Sequence, residues 1–189
     1  MLSSKENCLG YTTYFSLMIE ELDRANSIIT DFLSLAGNTP MALKQHNLIS
    51  IIRPLLPLIR ADAINSDKLV ETEYGSISDI LLNEKEIQQL VLNLVRNGLE
   101  AMGPGGVLTI SVYEEENQVI LSVRDRGKGI PPDLLEKIWS PFFTTKDNVT
   151  GLGLAVCYGI TARHKASISV ETGAGGSTFI VRFNVVPTA

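Results

Sequence analysis

The chain has 189 residues, a formal net charge of −5, 44% hydrophobic and 20% charged residues, which is the balance of a soluble globular protein with room for one domain and an appendage. The acidic balance, with no Lys/Arg tract, argues against nucleic acid or an anionic membrane as partner. No apolar run approaches membrane-spanning length, the start lacks a signal-peptide layout, and Cys8 and Cys157 lack metal-ligand spacing, so two reduced thiols in the cytoplasm are expected.

Residues 1–12 carry no periodicity. From 13 to 36 the pattern is helical, with Phe15, Met18, Leu22, Ala25, Ile29, Phe32 and Ala36 alternating spacings of three and four in an a/d seam. Ile19, Ile28, Leu33 and Leu35 widen that stripe beyond what one partner helix covers, as in a four-helix bundle. Gly37-Asn38-Thr39-Pro40 ends the helix and supplies a linker. The expected division is therefore 1–40 and 41–189.

Beyond the linker, 42–46 is a candidate short strand, and 47–64 reads as helical with interruptions near Pro54 and Pro57. A strand follows at 69–74. The stretch 83–102 is a helix whose Ile87, Leu90, Val91, Leu94, Val95 and Leu99 form one apolar stripe. Asn83 followed by Glu86 has capping-box spacing and places its start. After a turn at 103–106, the segments 107–113 and 119–125 read as an antiparallel pair joined through polar residues. A short helix is expected at 131–139, a helix opening on glycines at 151–164, and a last hairpin from 167–171 and 178–185 around 173–176. The order predicts an α+β fold, a two-layer sandwich with helices on one face of a mixed, mainly antiparallel sheet, preceded by one long bundle-forming helix.

Asn93 and Asn97 stack four residues apart on the long helix, where asparagine is a mediocre helix former. Taken alone the pair reads as a solvated polar edge. Asp125-Arg126-Gly127-Lys128-Gly129 leaves a strand, where a carboxylate can accept from an exocyclic amine while glycines let the backbone approach a flat ring. A tight turn explains D-x-G-x-G equally well. Thr150-Gly151-Leu152-Gly153 opens a helix, and free N–H groups there form a phosphate site, or merely a helix start. Between the two lies Ser140-Pro141-Phe142-Phe143-Thr144-Thr145-Lys146, an apolar plug with hydroxyls and a cation, suited to a lid.

In order and spacing, the Asn-bearing helix, D-x-G-x-G, P-F-F-T-T-K and G-L-G-L resemble the N box, first glycine box, F box and second glycine box of sensor histidine kinases. That ATP-binding domain is shared with type II topoisomerase, heat-shock chaperone and mismatch-repair ATPases. The resemblance covers about 47–187 and extends into 14–36, which looks like the second helix of the kinase dimerisation hairpin. The wording of the boxes is nearest the nitrogen-regulatory and sporulation kinases.

The resemblance implies ATP and Mg²⁺ as ligands, with the amide oxygen of Asn97 on the metal and Asn93 one turn before it facing the γ-phosphate. Asp125 would take the adenine amine, with Gly127 and Gly129 under the ring. Arg96 and Lys146 would contact phosphate; Gly151, Leu152 and Gly153 would face the triphosphate; Ser177 or Thr178 would place a hydroxyl near adenine. The implied function is transfer of the γ-phosphoryl group to a histidine, for relay to a response-regulator aspartate, in a homodimer whose phosphoacceptor helix packs on the bundle seam. Hydrolytic relatives carry a Glu where this chain has Asn93, an amide that takes no proton at neutral pH. The pocket therefore looks built to present a phosphoryl group and not to hydrolyse it.

Some positions depart from the pattern. The family's acceptor histidine lies in H-E-x-R-N-P on the first hairpin helix, whereas the two histidines here, His46 and His164, are not followed by Glu. His164 reads as structural. Val149 stands where the lid usually has glycine, and Gly98 where alanine is preferred. Two other readings remain: a non-catalytic nucleotide-binding regulator that caps a partner bundle, and an anti-sigma-type serine kinase.

Overall fold

The computed structural model describes residues 11, 14–19, 21–22, 25–26, 29, 42–146 and 149–185. Two compact units divide the chain, Met1–Gly37 and Asn38–Ala189. In the first, every described residue is helical and exposed, from Tyr11, ahead of the expected start at 13. Phe15, Met18, Leu22, Ala25 and Ile29 of the seam are among them; Phe32, Ala36 and the 37–40 linker lie outside the described residues.

In the second unit, β1 (Lys44–His46) precedes α1 (Leu48–Ile52), a 3₁₀ turn (Arg53–Leu55) and α2 (Leu56–Asn65). Pro54 and Pro57 break one helical run into these three pieces, because each lacks the N–H that a continuous helix requires. β2 (Leu69–Tyr74) and β3 (Ile80–Leu82) follow, and β3 pairs antiparallel with β1. The reading above has no element at 80–82. Three residues are too few for an alternating pattern to register.

α3 (Glu84–Ala101) is the central helix, and its apolar stripe Ile87, Leu90, Val91, Leu94, Val95 and Leu99 is buried to 7% exposure or less. Each such side chain contributes about 1.5–3 kcal/mol relative to exposure. β4 (Val107–Glu115), β5 (Gln118–Arg124), α4 (Gly153–Arg163), β6 (Ser167–Gly173) and β7 (Gly176–Asn184) complete the unit. Among the described residues the main sheet runs β2-β4-β5-β7-β6, with β2 and β4 parallel and every other pair antiparallel. The parallel pair needs a crossover, which α3 supplies. Leu108, Ile110 and Val112 of β4 and Phe179, Val181 and Phe183 of β7 are buried beneath the helices, while Thr109, Ser111, Thr178 and Arg182 alternate onto the opposite face. The architecture is the expected mixed sheet with a helical layer.

The β4–β5 turn has positive φ at Glu116 and Asn117, the type I′ geometry that matches strand twist, so both strands extend further than 113 and 119 imply. The helix expected at 131–139 shrinks to a 3₁₀ turn, Pro132–Leu134, followed by further turns to Ser140. Pro141 disfavours helical geometry at Ser140, where the run of turns ends. α4 begins at Gly153 and not at 151, because Gly151 has φ +68 and cannot join a right-handed helix.

Half of the capping box forms. Asn83 Oδ1 accepts the Glu86 N–H at 3.1 Å, but the Asn83 N–H donates to His164 Nε2 at 3.0 Å. Glu86 turns instead to Arg163 Nε, 2.8 Å away. His164 Nδ1–H donates to Ile160 O at 2.9 Å, so both ring nitrogens are engaged in the neutral form. Burial holds the imidazole below its usual range, against the pull of Ile160 O and Glu86, with Arg163 adding to the depression. His164 is thus a structural cap joining the start of α3 to the end of α4.

The consequence for stability has a definite sign. Above pH 6.5 the residue is neutral in both folded and unfolded chains. As pH falls below that value the unfolded chain takes up a proton that the folded one resists, so stability declines. Chemical denaturation across pH 7.5–5 should show this loss, at most about 1.4 kcal/mol per pH unit from this group. His164→Gln should flatten that portion of the profile.

Candidate functional site

Asp125 follows the last residue of β5 and is 2% exposed. Its N–H donates to Ser177 O at 2.9 Å. Its Oδ1 accepts the N–H groups of Gly127 at 2.8 Å and Ser177 at 3.2 Å. Among the described residues these donors converge on Oδ1, and Oδ2 keeps its acceptor capacity. Burial pushes the carboxyl above its usual range, while the two N–H groups and the Lys146 ammonium draw it back down.

The glycines after Asp125 are required by contact. A Cβ at Gly127 would lie 2.5 Å from Ala101 O, at the end of α3. Gly129 has φ +72, and a Cβ there would overlap Gly173 O of the β6–β7 hairpin. The loop is therefore pressed between helix and hairpin. Met102 adds a further hold, its sulfur accepting the Arg126 N–H at 3.3 Å.

Asn93 and Asn97 are half-buried on one ridge of α3. Asn93 Nδ2 donates to Gly153 O at 3.3 Å, fastening α3 to the start of α4. Asn97 Oδ1 accepts from Lys146 Nζ at 3.4 Å, and the same ammonium pairs with Glu100 Oε2 at 2.8 Å. Gly98 beside them carries no Cβ, and one placed there would collide with Leu108 and touch Asp125 Cβ at 3.5 Å. The Asp125 loop and the asparagine ridge thus meet across a single residue. Gly151 lies against the backbone of Phe142 and Phe143, while a Cβ at Gly153 would make only ordinary contact with Asn93, at 3.8 Å. Leu152 between them is fully buried and anchors the turn.

Not every expected residue reaches the site. Ser177 is buried beside Asp125, but strand alternation sends Thr178 to the opposite face, into a shallow hollow of about 450 Å³ lined by Glu71, Thr109, Arg124 and Glu171. Of the two expected residues, Ser177 is the one that adjoins Asp125. Arg96 is exposed, and no ion pair reaches it among the described residues. Phe142 is 64% exposed while Phe143 next to it is half-buried; positions 147 and 148 lie outside the described residues.

Two residues are here that sequence reasoning missed. Glu100 sits one turn beyond Asn97, a spacing that could have flagged it. Thr172 bonds the backbone of Ile130 and the hydroxyl of Ser177, and no local pattern announces it.

A hard cation needs oxygen donors. The corner formed by Asn97 Oδ1 and Glu100 Oε2 already faces the Lys146 ammonium, so its donor set fits Mg²⁺ held jointly with phosphate oxygens. Among the described residues no cluster of acidic, histidine and cysteine side chains could hold a metal unaided, and no helix is long and apolar enough to cross a membrane.

Comparison with known proteins agrees with this geometry. Sporulation kinase C of Bacillus subtilis (strain 168) is 34% identical over 171 residues, covering 89% of this chain but 40% of that protein. The chain thus spans less than half the length of this curated relative. The catalytic domain of the histidine kinase ThkA superposes with a TM-score of 0.70 at 33% identity, covering 76% of this chain and 96% of that one. ThkA in complex with the response regulator protein TrrA gives a TM-score of 0.75 at 29% identity, covering 93% of this chain and 51% of that one. The family model for histidine kinase-, DNA gyrase B-, and HSP90-like ATPases matches residues 82–187, more than half of the chain, from β3 through α3, Asp125 and the glycine turn to β7. The chain belongs to the histidine kinase-, DNA gyrase B-, and HSP90-like ATPase family.

Proposed function

We propose that this chain is the cytoplasmic, ATP·Mg²⁺-binding catalytic part of a sensor histidine kinase, either free in the cytoplasm or the inner portion of a membrane-bound sensor, presenting the γ-phosphoryl group to a histidine outside this sequence for relay to a response-regulator aspartate. The observation that carries the reading is the convergence on α3 of a carboxylate for the base, an amide–carboxylate corner for a cation, and the glycine-led start of α4. Asp125 would accept from the base amine. Asn97 and Glu100 would hold Mg²⁺, which supplies charge neutralisation on the phosphates when bound. The open N-terminus of α4, with Gly153 offering no side chain, would receive phosphate oxygens. Arg96 and Lys146 would add cationic contacts at the rim.

Asn93 supports transfer over hydrolysis. Its amide carries no proton-accepting group at neutral pH, and its nitrogen is spent on Gly153 O. His164 is no acceptor, since both ring nitrogens are bonded inside the fold. A homodimer formed through the seam of residues 15–36, and a receiver domain docked as TrrA is on ThkA, complete the proposal.

Labelled ATP with Mg²⁺ should leave this chain unlabelled, with hydrolysis near background. Adding a helical hairpin that carries H-E-x-R-N-P should give acid-labile label on the hairpin alone. Acid-labile label on His46 or His164 would overturn the reading. Acid-stable label on a partner serine would replace it with the anti-sigma-type kinase.

A further inference from the structure

Thr172, half-buried on β6, lies outside the glycine clusters and the asparagine ridge. Its Oγ1 accepts the Ile130 N–H at 2.8 Å, stands 3.0 Å from Ser177 Oγ and reaches Gly176 O at 3.4 Å. A hydroxyl has a single hydrogen to give. Of the two acceptors in reach, Ser177 Oγ is closer and within the preferred O–H···O range, whereas the carbonyl at 3.4 Å is outside it. Either hydroxyl can donate across that contact, and when Thr172 gives its hydrogen to Ser177 the Ser177 hydrogen is released for a ligand acceptor. The Ser177 N–H simultaneously holds Asp125 Oδ1 at 3.2 Å. In that arrangement a hydroxyl donor and a carboxylate acceptor belong to two residues joined through the Ser177 N–H.

We propose that Thr172 is a specificity-determining positioning residue: by fixing the Ser177 hydroxyl as a donor beside the acceptor Asp125, it selects 6-aminopurine nucleotides over 6-oxopurine nucleotides. The inference rests on the assignment of Asp125 to the base in the preceding section. A 6-aminopurine offers an amine donor next to an acceptor ring nitrogen, the complement of this pair. A 6-oxopurine offers an acceptor next to a ring N–H, so both partners face a like group. Sites built to satisfy a polar edge reject its mismatch because buried polar groups are left unpaired. Without Thr172 the Ser177 hydroxyl can turn and accept, and the penalty against a ring N–H disappears.

Calorimetry of the full chain with ADP and with inosine diphosphate tests this. Parent protein should prefer ADP. Thr172→Val, which keeps the shape and removes the hydroxyl, should lower the ADP-to-IDP affinity ratio about three- to tenfold, while Thr172→Ser should restore it. In a Ser177→Ala background, Thr172→Val should leave the ratio unmoved. Loosening of the Ile130 loop alone would weaken both nucleotides alike, so the ratio separates positioning from mere support. Should Thr172→Val fail to fold, Ser177→Ala alone must lower the ratio by a similar factor, and an unchanged ratio there overturns the inference. A parent that binds ADP, with a Thr172→Val ratio equal to its own, also overturns it. A parent that binds neither nucleotide overturns the reading of the site itself, and this inference with it.

Discussion

Asp125→Asn is expected to weaken ADP binding about ten- to hundredfold, the worth of one hydrogen bond to a charged acceptor (about 1.5–3 kcal/mol). The substitution is isosteric, and the new side-chain oxygen can still accept the N–H groups of Gly127 and Ser177 that hold Asp125 Oδ1. Fold and loop should therefore survive. What changes is the second position, where an amide NH₂ would face an incoming amine, donor against donor. Folding stability should hold or rise, because burial already disfavours the charged carboxylate here. The same upward push has a pH consequence. Asp125 must be ionised to accept from the base, so ADP affinity in the parent should begin to fall at a pH above that of an ordinary carboxylate, and Asp125→Asn should abolish the dependence. Calorimetry at several pH values measures both effects. Equal ADP affinity in mutant and parent would remove Asp125 from the base site.

The parts of the fold readable from residue pattern are those whose information is local. α3 announces itself because a capping asparagine, a strict apolar stripe and a glycine-proline stop all lie within one stretch of chain. β3 does not, since Ile80–Leu82 earns its strand by pairing with Lys44–His46, a partner distant in sequence. The site divides along the same line. Asp125 and its glycines form a contiguous motif. Ser177 and Thr178 are adjacent and chemically alike, and only the parity of β7 against the helical layer separates them. Thr172 and Glu100 matter through long-range bonds to Ile130 and Lys146, which no periodicity encodes. Glu86 shows the converse. Its spacing fits a capping box, yet its carboxylate pairs with the Arg163 guanidinium, a charged donor in place of a neutral N–H, and the Asn83 N–H goes to His164.

Asn97→Asp should all but abolish phosphotransfer to an added histidine-bearing hairpin, by a hundredfold or more, while ADP affinity falls less than about tenfold. The asymmetry follows from what lies around the residue. Lys146 Nζ is 3.4 Å from Asn97 Oδ1 and 2.8 Å from Glu100 Oε2, an ion pair about one-third exposed and worth roughly 1 kcal/mol or less on its own. A carboxylate at position 97 would place two like charges within one helical turn and hold the ammonium between them. Lys146 would then be less available to the phosphates at the moment of transfer. A full negative charge would also face the triphosphate, where repulsion costs on the order of 1–4 kcal/mol at contact distance, depending on how far water is excluded. A carboxylate remains a good oxygen donor for Mg²⁺, so part of the nucleotide affinity is retained. The reacting phosphoryl group is less forgiving, since a displacement of about 1 Å can cost a factor of roughly 10² in rate. Single-turnover transfer from labelled ATP, set beside ADP calorimetry with and without Mg²⁺, separates the two quantities. Adding Glu100→Gln to Asn97→Asp keeps an oxygen donor for the cation at position 100 while removing one of the competing charges, and should recover part of the lost transfer. Transfer at the parental rate in Asn97→Asp would overturn the metal-facing role of Asn97, and no recovery in the double variant would show that competition for Lys146 is not what limits transfer.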